Sequence, residues 1–128
     1  MTTLRNETVL SRQWNNYRNV HRHRANLMIH VLTVPVFMAG TVSVAVGLLS
    51  PLLVAPWTPW VAAGAISGGL FAMTFAIALQ GRGHKKEANP PEPFRGPRDV
   101  IARLFLEQWV SFPRYVLSGA FRRAFAKS

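Results

Sequence analysis

The feature that most constrains this chain is a long segment without charge. Residues 25–81 contain no Asp, Glu, Lys or Arg, although the 128-residue chain carries 15 basic and 5 acidic side chains. A soluble domain of this size exposes part of most of its segments, so such a stretch is not expected in one. Because about 20 apolar helical residues cross a bilayer, we predict transmembrane helices at residues 25–50 and 57–80. A buried helix pair in a soluble bundle is the alternative.

Proline and tryptophan mark the connection between the two spans. Pro51, Pro56 and Pro59 interrupt the apolar segment, because proline lacks the backbone donor that a continuous helix requires. Trp57 and Trp60 lie in the same connection, and tryptophan is enriched where a membrane meets water. The pattern therefore predicts an antiparallel hairpin of two membrane-spanning helices.

The basic residues indicate how this hairpin is oriented. All of them lie outside residues 25–81, and the connecting loop has none. Cytoplasmic loops are enriched in Lys and Arg, so we expect both termini in the cytoplasm, with the hairpin in a bacterial inner membrane. Since the positive charge follows membrane topology, we do not expect a nucleic-acid partner. The start of the first span and the end of the second should then share one membrane face.

The remaining segments complete an all-α fold with a single membrane domain, residues 1–128. Residues 1–24 are polar, with no cleavable signal, and should form a cytoplasmic or interfacial segment. Residues 81–97 are rich in Gly, Pro and charge, which predicts a histidine-bearing loop. Residues 98–128 show helical periodicity, broken at Pro113, with aromatic and basic faces typical of amphipathic helices at the cytoplasmic membrane face.

Small residues in the spans indicate close helix packing. Gly64 and Gly68 form a GxxxG step, and Ser43 and Gly47 form a similar small-residue step. These steps favour packing of the two spans against each other. A homo-oligomer interface is the alternative.

The histidines are the residues with the clearest chemical potential. The chain has no cysteine, which excludes thiolate metal sites, and its four histidines all fall near the predicted cytoplasmic face: His21, His23, His30 and His84. An ionisable group inside a span, as at His30, is costly and usually functional. Because neutral imidazole is the commonest metal ligand, we expect these side chains to form a metal site.

Helical spacing bears on which histidines converge. Asn26 and His23 are four and seven residues before His30, which places all three on one face of a straight helix. His21 would point away unless the helix begins or bends between the two residues. Other roles remain open: residues 21–24 and 83–86 are also compatible with headgroup binding, and His30 with a structural hydrogen bond.

Two motifs make the sequence similar to a known family. Residues 21–35 resemble the HxxxxNxxxH…P signature, and residues 83–91 resemble the Gly-His…Glu…Pro signature, of the small membrane 2-hydroxy fatty acid dioxygenases. This family includes the fungal enzyme of phytosphingosine breakdown and bacterial relatives formerly described as a domain of unknown function. The resemblance covers about residues 17–94, with a possible extension to Glu107.

The resemblance implies an iron(II)-dependent dioxygenase that uses O2 to shorten a 2-hydroxy fatty acid by one carbon. It implies iron-associated histidines at His21, His30 and His84, whereas His23 has no firm counterpart. Asn26 and Glu87 match recurring polar positions and are the candidate catalytic residues; Glu107 matches a third. The chain departs from the family pattern in two ways. Its His84-to-Glu87 interval is three residues where four are usual, and Lys85 and Lys86 replace apolar residues.

Basic side chains near this face are candidates for binding the substrate carboxylate. They are Arg22, Arg24, Arg82, Lys85 and Lys86. Positive-inside topology accounts for most of them, so we expect one or two at most to touch substrate.

Two other functions are compatible with the same features. One is a non-enzymatic membrane adaptor or lipid-binding subunit that uses the basic rim. The other is a haem anchor with His30 and His84 as axial ligands.

Overall fold

The computed structural model describes residues 8–53 and 56–128. These residues form helices, turns and loops and contain no strand, in agreement with the predicted all-α fold. The elements are α1 (Val9–Tyr17), α2 (Arg24–Leu53), α3 (Pro59–His84), α4 (Pro97–Leu106), a π-helical turn (Glu107–Ser111), α5 (Phe112–Leu117) and α6 (Ala120–Lys127).

Helices α2 and α3 form a hairpin and are each long and apolar enough to cross a membrane. At 1.5 Å per residue, their 30 and 26 residues extend over about 45 and about 39 Å, more than the bilayer's hydrocarbon core of about 30 Å. Much of their apolar surface is uncovered by the rest of the chain; Leu32, for example, is 64% exposed and Phe71 is 74% exposed. Length and composition thus agree with the two predicted spans.

Helix α2 continues further than the prolines predicted. It passes through Pro51 to Leu53, because the hydroxyl of Ser50 donates to the Gly47 carbonyl (2.7 Å) that has no amide partner at Pro51. The indole N–H of Trp57 in turn donates to the Ser50 hydroxyl (2.9 Å), which closes the connection. The second and third prolines act as predicted, since Pro59 occupies the first turn of α3.

The end of α3 corrects the predicted loop. Residues 81–84, expected at the start of a loop over 81–97, form the last turn of this helix. His84 is therefore held by regular helical hydrogen bonding and has a defined orientation toward α2.

The two long helices approach each other at small residues, as predicted for the Ser43 and Gly47 step but not for the Gly64 and Gly68 step. A Cβ on Gly47 would lie 3.0 Å from the Ala62 carbonyl oxygen of α3. A second close approach is at Gly40 and Gly69. A Cβ on Gly40 would lie 2.7 Å from the Gly69 carbonyl oxygen, and a Cβ on Gly69 would lie 2.5 Å from that of Gly40. A Cβ on Gly64 or Gly68, by contrast, would contact nothing within 4 Å. The GxxxG step thus faces away from α2, while Ser43 packs as expected and donates to the Ala65 carbonyl (2.8 Å).

Proline also has a different effect from the predicted one in the C-terminal region. The chain stays helical from Pro97 to Leu117, and the turn before Pro113 widens into a π-helix, in which the Phe112 amide donates to the Glu107 carbonyl. A wider turn accommodates the proline ring and the missing donor without ending the helix. Glu107, the first residue of the widened turn, still continues α4, because its amide donates to the Arg103 carbonyl.

The terminal helices pack on one end of the hairpin. Their shared core is built from Tyr17, Leu27, Val34, Phe112, Tyr115 and Ala120, with Trp14, Phe121 and Phe125 against it. Aromatic residues that the sequence placed at a lipid interface thus pack partly against the protein itself. The guanidinium of Arg24 lies 4.3 Å from the centre of the Phe125 ring, which holds α6 against the start of α2.

Candidate metal centre

Four side chains from separate parts of the chain converge at this end of the hairpin. They are His21, His30, His84 and Glu107, and their potential ligand atoms all lie within 4.8 Å of one another. His21 and His30 are fully buried, and the side chains of His84 and Glu107 are 14% and 13% exposed. Three imidazoles and one carboxylate form a compact set of nitrogen and oxygen ligands.

Each of these side chains is positioned by a different structural element. His21 lies in the turn between α1 and α2, His30 in the second turn of α2, and His84 at the end of α3. Glu107 begins the π-helical turn. The antiparallel hairpin places the start of α2 next to the end of α3, and the terminal helices bring the other two residues across it.

Hydrogen bonds fix the tautomer of two imidazoles. The Nδ1–H of His21 donates to the carbonyl of Tyr17, and the Nδ1–H of His30 donates to the carbonyl of Asn26, each at 3.0 Å. A carbonyl only accepts, so in both neutral rings the proton is on Nδ1 and the lone pair is on Nε2. Metal-binding histidines are commonly oriented in this way by a carbonyl behind the ring.

The Nε2 lone pairs of His21 and His30 therefore point toward each other and toward Glu107. The two Nε2 atoms lie 3.3 Å apart, and Oε1 of Glu107 lies 3.1 Å from that of His21 and 3.2 Å from that of His30. Three acceptor atoms at these distances repel unless a proton or a metal ion lies between them. The ligand set is therefore suited to hold a cation.

The local electrostatics keep the ligands in their metal-binding forms. Burial lowers the pKa of His21 to about 4, and the hydrogen bond to Glu107 opposes this shift only in part. Burial disfavours ionisation of Glu107, but hydrogen bonds donated by the imidazoles around it, when one of them carries a proton on the nitrogen that faces the carboxylate, hold its pKa well below the usual value. Near neutral pH the site therefore combines a neutral His21 with a carboxylate.

His84 completes the group from the opposite side. Its Nε2 lies 3.9 Å from Oε1 of Glu107, and its ring centre lies 4.8 Å from that of His21 and 5.0 Å from that of His30. Its Nδ1 is buried and finds no hydrogen-bond partner within residues 8–53 and 56–128. The predicted meeting of His30 and His84 is confirmed.

The fourth histidine lies outside this group. His23 is exposed, and its Nδ1 accepts a hydrogen bond from the amide of Ala25 (3.2 Å) at the start of α2. The prediction that His23 shares a helical face with His30 is wrong, because α2 begins only at Arg24. The same start of the helix frees His21 to fold back toward His30.

Asn26 and Glu87, the two candidate catalytic residues, also lie outside the ligand set. The backbone amides of Arg22 and His23 both donate to the carboxylate of Glu87, at 2.9–3.0 Å from its two oxygens. The side-chain amide of Asn26 donates to Oε1 of Glu87 at 2.7 Å and to the Val20 carbonyl at 3.3 Å. These hydrogen bonds hold the turn that carries His21. In this structure Asn26 and Glu87 therefore position a candidate metal ligand.

A glycine makes that arrangement possible. A Cβ on Gly83 would collide with the side-chain oxygen of Asn26, so a larger residue would displace this amide. The two residues of the Gly-His pair in the second motif thus have different roles. Gly83 leaves space for the Asn26 side chain, and His84 supplies an imidazole.

The helical periodicity of the C-terminal region did not indicate that Glu107 is a candidate metal ligand. The sequence favours a ladder of Asp99, Arg103 and Glu107 along one helical face, and the first two do form an ion pair (3.6 Å). Glu107 continues the same helix, but its carboxylate meets Tyr17 and the imidazoles of His21 and His30. Only the resemblance pointed to it.

A buried amide pair holds the π-helical turn in place. Gln80 of α3 donates to Oε1 of Gln108 at 2.9 Å, and Gln108 donates back to Oε1 of Gln80 at 2.7 Å. Gln80 also donates to the Thr33 hydroxyl of α2 at 2.9 Å. Since Gln108 follows Glu107, this network fixes the carboxylate relative to both long helices. No sequence pattern indicated these amides, because the contact depends on how the terminal helices pack.

The geometry leaves no room for haem between His30 and His84. Axial imidazoles bind on opposite faces of a porphyrin, whose plane needs clear space between them. Here His21 and Glu107 occupy that space, with Oε1 of Glu107 3.2 Å from Nε2 of His30 and 3.9 Å from that of His84. The arrangement favours a single metal ion over haem.

A cavity of about 470 Å³ adjoins the ligand set between α3, α4 and the proline-rich loop. His84 and Glu107 form part of its wall, and most of the rest is apolar. A smaller space of about 40 Å³, lined by His21, His84 and Glu107 among others, adjoins the group on the α1 side.

Comparison with protein-family models, with curated proteins and with solved structures gives no match to this chain. The resemblance to the 2-hydroxy fatty acid dioxygenases therefore stays a prediction carried by the two motifs.

Proposed function

We propose that this chain is an iron(II)-dependent membrane dioxygenase that shortens 2-hydroxy fatty acids by one carbon. The observation that carries the proposal is the His21–His30–His84–Glu107 group at the end of two long apolar helices. Imidazole and carboxylate ligands with open positions are typical of non-haem iron(II) oxygenases. The two sequence motifs add the substrate class.

The proposed reaction balances without an external reductant. A 2-hydroxy acid, R–CH(OH)–COOH, and one O2 give R–COOH, CO2 and H2O. Iron, when bound, would supply the activation of O2. The chain would hold the ligands, exclude bulk water and orient the substrate.

The residues of the site divide this work. The carbonyls of Tyr17 and Asn26 keep the Nε2 atoms of His21 and His30 directed at the metal position. The negative charge of Glu107 favours binding of a divalent metal ion among the imidazoles. Burial of His21 and His30 excludes water on one side, and the cavity beside His84 leaves the other side accessible.

The location of the site supports an amphiphilic substrate. If the hairpin spans the bacterial inner membrane with both termini in the cytoplasm, the ligand set lies near the cytoplasmic face. An acyl chain can then remain in an apolar environment while the carboxylate and 2-hydroxyl reach the metal position.

The deciding experiment is incubation of the purified full chain with a 2-hydroxy fatty acid, ferrous iron and O2. The proposal predicts the acid one carbon shorter, detected by mass spectrometry, and its loss in His30→Ala. His23→Ala is the matched control and should keep the activity, since His23 is exposed and outside the ligand set. No shortened acid from wild-type protein that carries iron would overturn the proposal.

A further inference from the structure

The cavity beside the metal ligands has a wall formed by one face of α3. Ile77, Gln80, Gly81, His84 and Lys85 line it at three- and four-residue spacing. Ile77 and Lys85 are eight positions apart, which is about 12 Å along the helix axis. The cavity is therefore elongated, with a metal ligand and a cation at the end of α3 and an apolar residue two turns further into the long helix.

The opposite side of the cavity is largely apolar. Val100 and Leu104 of α4 contribute to it together with Pro90, Pro91 and Phe94 of the preceding loop. Arg103 holds this loop closed: its guanidinium donates to the Glu92 carbonyl at 2.8 Å and lies 4.6 Å from the centre of the Phe94 ring. The wall is thus a fixed part of the structure.

Lys85 is distinguished from the other basic residues near the site. Of the five basic side chains that are candidates for binding the substrate carboxylate, Lys85 alone lines this cavity. Lys86, Arg22 and Arg24 line a different depression, beside Glu87 and Asn89.

The second cation in the wall is already engaged. Arg103 is paired with Asp99 at 3.6 Å. Across residues 8–53 and 56–128, no carboxylate lies within ion-pair distance of Lys85. Lys85 therefore offers a free positive charge at the mouth, next in sequence to the metal ligand His84.

We propose that this cavity binds a fatty acid, with its carboxylate at Lys85 and its chain along Ile77, Phe94 and Leu104. The choice of a fatty acid as the bound amphiphile rests on the proposed function. Lys85 and the metal ligand His84 both line this cavity. Charge complementarity at one end and apolar walls along the rest select a single-chain amphiphile with a free acid group.

The test is equilibrium binding of radiolabelled dodecanoate to the full chain in nanodiscs, without iron, with dodecanol as the uncharged comparison ligand. Lys85→Met should weaken dodecanoate binding on the order of tenfold, as expected for loss of one charged hydrogen bond, and leave dodecanol binding unchanged. Lys86→Met is the matched control and should bind both ligands as wild type does.

A second variant tests the cavity itself. Gly81→Leu adds a side chain where a Cβ would meet nothing within 4 Å, so it should occupy the cavity without a backbone clash and weaken binding of both ligands. Gly68→Leu is its control, because Gly68 has the same open surroundings on α3 but does not line the cavity. Undiminished binding in Gly81→Leu, or equal losses in Lys85→Met and Lys86→Met, would overturn the inference.

The binding assay separates this inference from the proposed function. If dodecanoate binds with the expected variant pattern but no shortened acid forms, the binding site stands and the oxygenase proposal fails. If shortened acid forms while Lys85→Met and Gly81→Leu bind dodecanoate normally, the oxygenase proposal stands and this site is wrong.

Discussion

The Nε2 atoms of His21 and His30 lie 3.3 Å apart, although each ring keeps its proton on the opposite nitrogen for a backbone carbonyl. Two lone pairs in contact are unfavourable in a buried site without a cation between them. The chain thus maintains, through the turn before α2, a contact that only a bound proton or metal makes favourable.

Glu107→Gln should weaken divalent-metal binding by more than about 100-fold, the upper end of what removal of an outer hydrogen-bond partner usually costs. The physical reason is loss of the one carboxylate among three imidazoles. Isothermal titration of the metal-free protein with Fe(II) under anaerobic conditions measures this. Glu92→Gln, at an exposed ion pair with Arg95 (2.6 Å), is the control. Equal affinities for wild type and Glu107→Gln would exclude Glu107 as a ligand.

Glu87→Ala should lower stability more than it alters chemistry. It removes the acceptor for the exposed amides of Arg22 and His23, which water can then reach, and for the buried side chain of Asn26. The buried donor of Asn26 left without this partner costs about 1–3 kcal/mol. Thermal unfolding in detergent should show a lower Tm, with metal still bound at saturating concentration. A variant with unchanged Tm but no turnover would instead restore Glu87 to a catalytic role.

The Gln80–Gln108 pair should show strong non-additivity. Gln80→Met and Gln108→Met each leave the partner amide buried and unsatisfied, which costs about 1–3 kcal/mol. The double variant removes both amides, so its destabilisation should be smaller than the sum of the two. Denaturant titration of the four proteins gives the coupling free energy, and strict additivity would show that the two amides act independently.

Asp99 should make stability depend on pH in the acidic range. A hydrogen bond from the Arg95 amide (3.0 Å), together with the charges of Arg103 and Arg12, lowers the pKa of this carboxyl. Because the folded pKa lies below the unfolded value of about 3.9, the stabilisation is complete above that value and is lost as pH falls through the folded pKa.

The comparison of wild type with Asp99→Asn isolates this effect. Wild type should unfold at the higher Tm near pH 6, and the difference should shrink steadily below about pH 4. Other acid-sensitive groups are common to both proteins and cancel in the difference. A Tm difference that stays constant from pH 6 to pH 3 would contradict the assignment.

The sequence predicted the hairpin well, because a long run of residues without charge has few physical solutions. Two long apolar helices, their antiparallel arrangement and the meeting of His30 with His84 all follow from it. The positions of prolines predicted the helix ends less well. Pro51 is accommodated within α2 by the Ser50 hydroxyl, and Pro113 is accommodated by the π-helical turn before it. In both cases neighbouring groups compensate for a donor that proline lacks.

The residue pattern by itself determined that imidazoles from the two long helices meet at one end of the hairpin, since helical rise and an antiparallel return leave little choice of depth. Residue spacing favoured His23, so the tertiary structure decided that His21 joins them and that Glu107 supplies the carboxylate, as the family resemblance had implied. It also decided that Glu87 braces the turn that carries His21. Those outcomes depend on where α2 begins and on how the terminal helices pack across the end of the hairpin. Glu87 bonds to residues more than 60 positions earlier and Glu107 lies against His21 and His30 more than 75 positions earlier, so local spacing does not predict either contact.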